Sequence, residues 1–505
     1  MQLPLDLSIM IEPTDPVVTF IEVLGGMDLR KYFVSKPAVG RLGYNAMTLL
    51  KIVLFAMMEN KRSLREMEKA CRTDIRFMWL AGGARPTHAT FQHFINGYLK
   101  AHIEAILRDV MLQIAKKTKI DLKTSYVDGT KIEANANKYK WVWKKASEKY
   151  LAKLNATIGK EFAKMNGEGL QYEGKSFVIK TRYEAADLLA VMRWLVGEME
   201  RQELRSVYGK GTRKSEIQRH LDRFDSYLEA LMRYEEDIRI CGPNRNSFAK
   251  TDQGATFMRM KEDAMKNGQL KPGYNLQLAV SDGYITATGT FQDRDDQGTF
   301  AVMADKLKTM YGFYPTNIVA DAGYGSIENY LVCKERRMRP FVKYGMYSKE
   351  KERKYQRDPY RVANMRREDG SYVCPQGHPF VFVGTRMRKT ASIEYRVDQY
   401  ECGHCEGCPA KVKCTKAKGN RRIEICELGI KLYAEAKALL DSEEGIRLRI
   451  NRSIQAEGAF ATIKQDGGYR RLSRRGLENA NLEFHLVAIG HNLFKYHQER
   501  LRTTA

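Results

Sequence analysis

The sequence predicts an α/β (α+β) protein built on one mixed sheet set among helical segments, and three observations lead there. Apolar residues fall at helical spacing through the first 120 residues, short β runs begin at Tyr126, and aspartates stand at the ends of two of those runs. At 505 residues the chain is long for one domain at roughly 150 residues each, so several units are expected.

Residues 1–120 read as a helical domain. Leu49, Leu50, Val53, Leu54 and Met57 share one helix face, and Ser63-Leu-Arg-Glu66 is a capping box opening the next helix. Pro86-Thr87 starts a helix expected to run on through residues 88–112. Short helices joined by Gly82-Gly83 suit either a helix-turn-helix-like unit that contacts nucleic acid or a dimerisation bundle.

From residue 121 the pattern turns to strands. SYVDGTKIEANA is the first, and YNLQLAVSDGYITATGTF is a hairpin with Asp282-Gly283 at its turn. A helix follows over roughly Gln297 to Tyr311, then the buried-strand run Ile318-Val319-Ala320, which ends at Asp321. Strand, hairpin, helix, strand and a later helix is the order of an RNase H-like mixed sheet. Its first part is assigned to residues 121–343, interrupted by a charged helical insertion at 140–267. A Cys-rich, zinc-ribbon-like insertion takes 344–424, and 425–505 completes the core with a basic C-terminal segment.

The balance of 85 Lys+Arg against 61 Asp+Glu leaves a formal +24, which attracts polyanions and implies salt-dependent binding to nucleic acid. A membrane partner is not expected, because the most apolar stretch, Leu49 to Met58, is short and interrupted by Lys51. MQLPLDLSIMIEP has no basic region ahead of an apolar one, so a cytosolic, nucleoid-associated location is expected.

Three carboxylates carry the chemical reading. Asp128 and Asp321 stand at strand ends backed by glycines, where oxygen donors converging on paired divalent cations would serve phosphoryl transfer. Alone, either is an ordinary turn aspartate. Glu457 continues the series Ile446, Ile450, Ile454, Glu457, Ala461, which is expected to face the core, where a carboxylate needs a cation. Lys464 falls on the same ideal helix face, two turns on.

YVDGTKIEANA, GYNLQLAV, NIVADAGYGS and NRSIQAEGAFATIKQDGGYRRLSRRG, in that order, resemble the signatures of bacterial insertion-sequence transposases with an Asp-Asp-Glu triad. The resemblance implies that Asp128, Asp321 and Glu457 are the catalytic, metal-holding triad, with Mg2+ expected and Mn2+ able to substitute. It also implies double-stranded DNA as substrate, a homodimer on that DNA, and Lys464 meeting DNA near the cut. Related elements often carry an Arg four residues before the Glu; here Ser453 stands there and Arg452 one place earlier. An ideal helix turns Arg452 away from the Glu457 face, which leaves its role open.

Cys402-x2-Cys405-x2-Cys408-x5-Cys414 gives thiolate spacing for structural Zn2+, with Cys374 as alternative ligand and an iron–sulfur cluster as alternative occupant. Arg470, Arg471, Arg474 and Arg475 are expected phosphate contacts, against the plain reading of a solvated charge run. Trp143, with Trp141, is a candidate to stack on an unpaired base, although tryptophan is more often core.

Overall fold

The computed structural model describes residues 7–33, 43–208, 213–260, 269–390 and 392–504. Residues 1–6 of the N-terminal stretch, and 209–212 and 261–267 of the expected helical insertion, lie outside them.

The N-terminal region is helical, with helices Pro16–Gly25, Ala46–Met58, Leu64–Thr73, Ile75–Ala81, His88–Phe94 and Ile103–Lys117. The capping box forms, the Ser63 backbone N–H donating to Glu66 Oε2 at 3.0 Å. The single helix expected over 88–112 is instead broken. It opens into a π-turn at Ile95–Leu99 and restarts at Ile103. Asn96 and Gly97 are weak helix formers, and the break turns Ile95, Leu99 and Ile103 alike into the core.

The sheet follows from β1 (Thr124–Glu133), whose residues Ser125 to Thr130 are all buried. Next in the chain, β2 (Trp141–Trp143) and β3 (Ser247–Ala249) form a separate pair. β4 (Thr256–Arg259), β5 (Leu270–Ser281), β6 (Tyr284–Phe291), β7 (Asn317–Ala320) and β8 (Arg339–Val342) complete the main sheet. Its order is β6-β5-β1-β7-β8, antiparallel on one side of β1 and parallel on the other, as in an RNase H-like core. The hairpin turn forms where expected, with φ 50° at Asp282 and 77° at Gly283, the paired positive values of a type I′ turn.

The 140–267 stretch is not helical throughout. Helices Lys144–Gly167, Ala185–Arg201 and Glu216–Cys241 are followed by β3 and β4, and β4 pairs with β5 on the edge that β6 also uses. Phe248 and Phe257 are buried there, so this apolar tail is held by sheet pairing. Farther on, β9 (Phe380–Lys389), β10 (Glu394–Cys402) and β11 (Arg422–Ile425) make a small antiparallel sheet.

One hydrophobic core joins the N-terminal helices, the main sheet and the C-terminal helix Leu477–Thr504. Asn492 on that helix accepts from Ile285 N–H and donates to Ile285 C=O, both at 2.8 Å, closing the edge of β6. The helical insertion has its own core around Ile158, Phe162, Phe224 and Leu231, and the Cys-rich segment another around Met365, Tyr372 and Ile423. Among the described residues no helix is long and apolar enough to cross a membrane.

Candidate active site

Parallel pairing of β1 with β7 sets Tyr126 against Val319, and the same register carried two residues on places Asp128 beside Asp321. β7 ends at Ala320, so β1 has no β7 partner at Asp128, and farther along the same edge Glu133 is met by a parallel bridge from Arg471. Asp128 is 6% exposed in the middle of its strand. Asp321 caps a short 3-10 turn, its Oδ1 accepting from Gly323 N–H at 2.8 Å.

Glu457 comes from the helical run that packs against β1 and β5. That run is not an ideal α-helix. Residues Ser453–Glu457 and Thr462–Asp466 are π-helical, with one α-turn, Gly458–Ala461, between them. The wider turn brings Arg452 round to Glu457, whose Oε1 accepts from Arg452 Nη2 at 2.8 Å, while Arg452 Nη1 lies 3.8 Å from Asp128 Oδ2. The expectation that Arg452 turns away from the Glu457 face is therefore overturned: its guanidinium bridges two of the three carboxylates.

The isoleucine series is corrected as well. Ile446, Ile450 and Ile454 are 45%, 62% and 67% exposed, and the Glu457 side chain is 55% exposed. The buried face is Leu448, Ala456, Ala459, Phe460 and Ile463; Ile446 and Ile450 already face outward in the regular helix Glu443–Arg452, ahead of the first π-turn. Lys464 is buried, its ammonium 3.5 Å from the Lys131 carbonyl on β1. It sits on the buried side of its helix and Glu457 on the exposed side, so the shared ideal face does not survive the π-turns.

Electrostatics tie the group together. Lys343, just past β8, has its pKa lowered by burial and by the charges of Arg452 and Arg449, offset by attraction to Asp321 and Glu457. The buried Tyr324 hydroxyl is pushed well above its usual pKa, first by burial and then by the charges of Asp296, Asp128 and Asp321.

Asp296 is the residue that the sequence reading missed. Its Oδ1 accepts from Asn275 Nδ2 and Gln277 Nε2, each at 2.8 Å, and Tyr324 hydroxyl donates to Gln277 Oε1. A cue existed in Asp293-Arg-Asp-Asp296, an acidic run directly after a strand.

The basic segment is tied down by its own chain. Arg471 donates to the Ala134 and Ala136 carbonyls, Arg475 to that of Asn135, and Arg474 to Asn96 Oδ1 at 2.6 Å. Arg470 is exposed. Arg62, Arg65, His88, Asn135, Arg474 and Arg475 line a cleft of about 630 Å3 between the N-terminal helices and this segment. Trp143 and Trp141 tilt against Phe257, with ring centroids 6.1 and 5.3 Å away; Trp141 is 39% exposed.

Cys374, Cys402, Cys405, Cys408 and Cys414 line one cavity of about 20 Å3. Backbone N–H groups of His378 and Arg421 donate to Cys374 and Cys405 sulfurs at 3.4 Å, and the Arg421 guanidinium donates to Cys414 Sγ at 2.9 Å. Such donors favour thiolates, so the set suits a thiophilic cation. Burial pushes the Cys402 thiol up to about 11. Among the described residues only Glu168, Glu216 and His220 have donor atoms all within 4.8 Å, and Lys164 lies 3.3 Å from Glu168 and 4.0 Å from Glu216.

The chain matches a transposase DDE domain over residues 373–497 and a transposase domain (DUF772) over residues 6–97. No curated protein matches it. The first match contains Glu457, Lys464, the arginines and the clustered cysteines; Asp128 and Asp321 lie outside both. With transposase domains at both ends and a mixed RNase H-like sheet between them, the chain is identified as an insertion-sequence transposase of the DDE kind.

Proposed function

We propose that this transposase cuts and joins DNA at the terminal repeats of its own mobile element, using Asp128, Asp321 and Glu457 to hold a pair of divalent cations. The observation that carries the reading is the meeting of the three carboxylates' supports. Asp321 directly follows β7 and Asp128 lies two residues past the Tyr126–Val319 pair of β1 and β7, and Arg452 spans Asp128 and Glu457. An all-oxygen donor set suits Mg2+, with Mn2+ as substitute. When bound, such ions activate water or a 3′-hydroxyl and stabilise the attacking and leaving oxygens.

The chain's own residues supply the rest. β1 and β7 fix the two aspartates, the π-turn delivers Glu457, and Arg452 holds Asp128 and Glu457 together against their mutual repulsion. Arg470, Arg471, Arg474 and Arg475 are proposed phosphate contacts, since a guanidinium with five donors keeps some after bonding a carbonyl. Lys464 is proposed to support the DNA near the cut from beside β1, and Trp143 to stack on an unpaired base. Four of Cys374, Cys402, Cys405, Cys408 and Cys414 are proposed to hold one structural Zn2+. Synapsis of two element ends would make the working form a dimer on DNA.

The test is a strand-transfer assay on nicked terminal-repeat DNA with Mg2+. Joined product is expected; cut product alone would leave a nuclease, and bound DNA with neither would remove the catalytic reading. Asp128→Ala, Asp321→Ala and Glu457→Ala should each abolish cleavage and leave end binding, because ligands of one cation pair act as a unit. A residue whose loss leaves cutting intact is not in the triad.

A further inference from the structure

We infer that Ile446, Ile450 and Ile454 form an apolar wedge that packs against bases of the DNA entering the centre and parts the duplex beside the phosphate to be cut. This deepens the proposed function and rests on it, because Glu457 places the wedge.

The helical run that carries Glu457 already has its packing side in Leu448, Ala456, Ala459, Phe460 and Ile463. The opposite side of such a helix is ordinarily polar. Here three isoleucines stand on it at steps of four residues, and their exposure rises toward Glu457, from 45% at Ile446 to 67% at Ile454. Ile446 and Ile450 belong to the regular helix Glu443–Arg452, and Ile454 to the π-turn that ends at Glu457. The ridge then stops, since Gly458 follows and a Cβ there would meet open space. Scattered exposed aliphatics need no explanation, but a contiguous row leading into a reactive centre marks a contact surface. β-branched side chains also have little rotamer freedom to lose when something packs on them.

Charge identifies the partner. Arg447 is exposed between the isoleucines, Arg449 lies over the Tyr347 ring at 5.4 Å, and Arg452 spans Asp128 and Glu457. Lys343 stands among Arg449, Arg452, Asp321 and Glu457. Of the acids that open this helix, Glu444 is paired with Arg339 at 2.6 Å, and Glu443 lies at the end away from Glu457. Apolar side chains bordered by cations suit DNA, whose phosphates meet the cations while its base faces meet the isoleucines. A second copy of the chain seated on Ile454 would stand within about 5 Å of Glu457 along the axis and close the centre to its substrate.

Terminal-repeat duplexes with 2-aminopurine beside the cleavage phosphate test this, because that base brightens on leaving the stack. Wild-type full-length protein without Mg2+ should raise the fluorescence. The double variant Ile450→Ala, Ile454→Ala should abolish the rise at saturating DNA. Both positions are exposed and alanine is the strongest helix former, so the helix is kept. With Mg2+ the double variant should cut the paired end roughly 10–100-fold more slowly than wild type, since unstacking a base step is no longer compensated. A duplex mismatched at that step should restore its rate, which a merely structural defect would not do. No rise with wild type, or a double variant equally slow on mismatched DNA, overturns the wedge. So does a double variant that keeps the rise and sediments as a monomer where wild type is a dimer, because the isoleucines would then join copies of the chain. If wild type cuts neither duplex, the cation-pair reading falls, and the fluorescence by itself still decides the wedge.

Discussion

Arg452 is 15% exposed and touches two acidic side chains that an isolated helix would have kept apart. Its charge offsets their repulsion, and the same charge would face a phosphate drawn into the centre. Arg452→Gln should therefore slow single-turnover cleavage at saturating DNA on the order of 100-fold, as loss of one electrostatic donor does in other enzymes. A variant that lost only DNA affinity would make Arg452 a backbone contact. A second residue-scale prediction concerns His485, fully buried on the C-terminal helix. Its Nδ1 donates to the Asn481 carbonyl at 2.8 Å, while Nε2 has no partner among the described residues. Burial, then the charge of Lys306, lowers its pKa from 6.5 to about 3. Between those values the unfolded chain takes up a proton that the folded one refuses. Stability thus falls as pH drops from 6.5 toward 3, by about 1.4 kcal/mol per unit of separation at most. The urea midpoint of wild type should drop more between pH 7 and 5 than that of His485→Gln; equal drops would rule out His485 as the source.

At the scale of elements, the π-turns decide what the Glu-bearing helix presents. Counting at 3.6 residues per turn groups the isoleucines with Glu457 as an inner face, but Ile446 and Ile450 already point outward in the regular helix before the first π-turn, and the extra residue of that turn brings Arg452 round to Glu457. The β5–β6 turn was legible for the opposite reason, since Asp-Gly between alternating residues specifies its own geometry. That turn also meets the Glu457-bearing helix, Gly283 N–H donating to Gln455 Oε1. Gly283→Ala should destabilise the protein by roughly 1–2 kcal/mol, the cost of a side chain at positive φ. Urea denaturation measures it, and an unchanged midpoint would show that the turn relaxes freely.

Across the whole molecule, separate cores predict separate responses. The Cys-rich segment closes on its own small cluster, apart from the core that joins the N-terminal helices to the sheet. Protein purified without added zinc should carry about one equivalent of zinc per chain. A chelator should then raise amide exchange in β9, β10 and β11 while leaving β1 and β5 protected. Folded protein with neither zinc nor iron, or exchange spreading equally to β1, would sink the separate metal-built unit. Replacing Arg470, Arg471, Arg474 and Arg475 together should weaken DNA binding and flatten its salt dependence by roughly one counterion per lost contact. An unchanged salt slope would leave these arginines as ties within the fold, which three of them demonstrably are.

The sequence by itself determined what local chemistry settles. The strand run ending just before Asp321, the Asp282-Gly283 turn, the Ser63 capping box and the order of elements all act within a few residues of chain, and they sufficed for an RNase H-like sheet, although Asp128, expected at a strand end, lies in the middle of β1. The tertiary structure decided what depends on groups far apart in sequence. β7 ends beside Asp128 nearly two hundred residues after it, the π-turns carry Arg452 between Asp128 and Glu457, and β4 emerges from a helical insertion to pair with β5. Asp296 belongs to the same class: a turn aspartate in its own segment, it gains its place from two amides on β5. Hydrophobic period and turn propensity report the backbone's nearest neighbours, whereas charges converge through packing that no local pattern records.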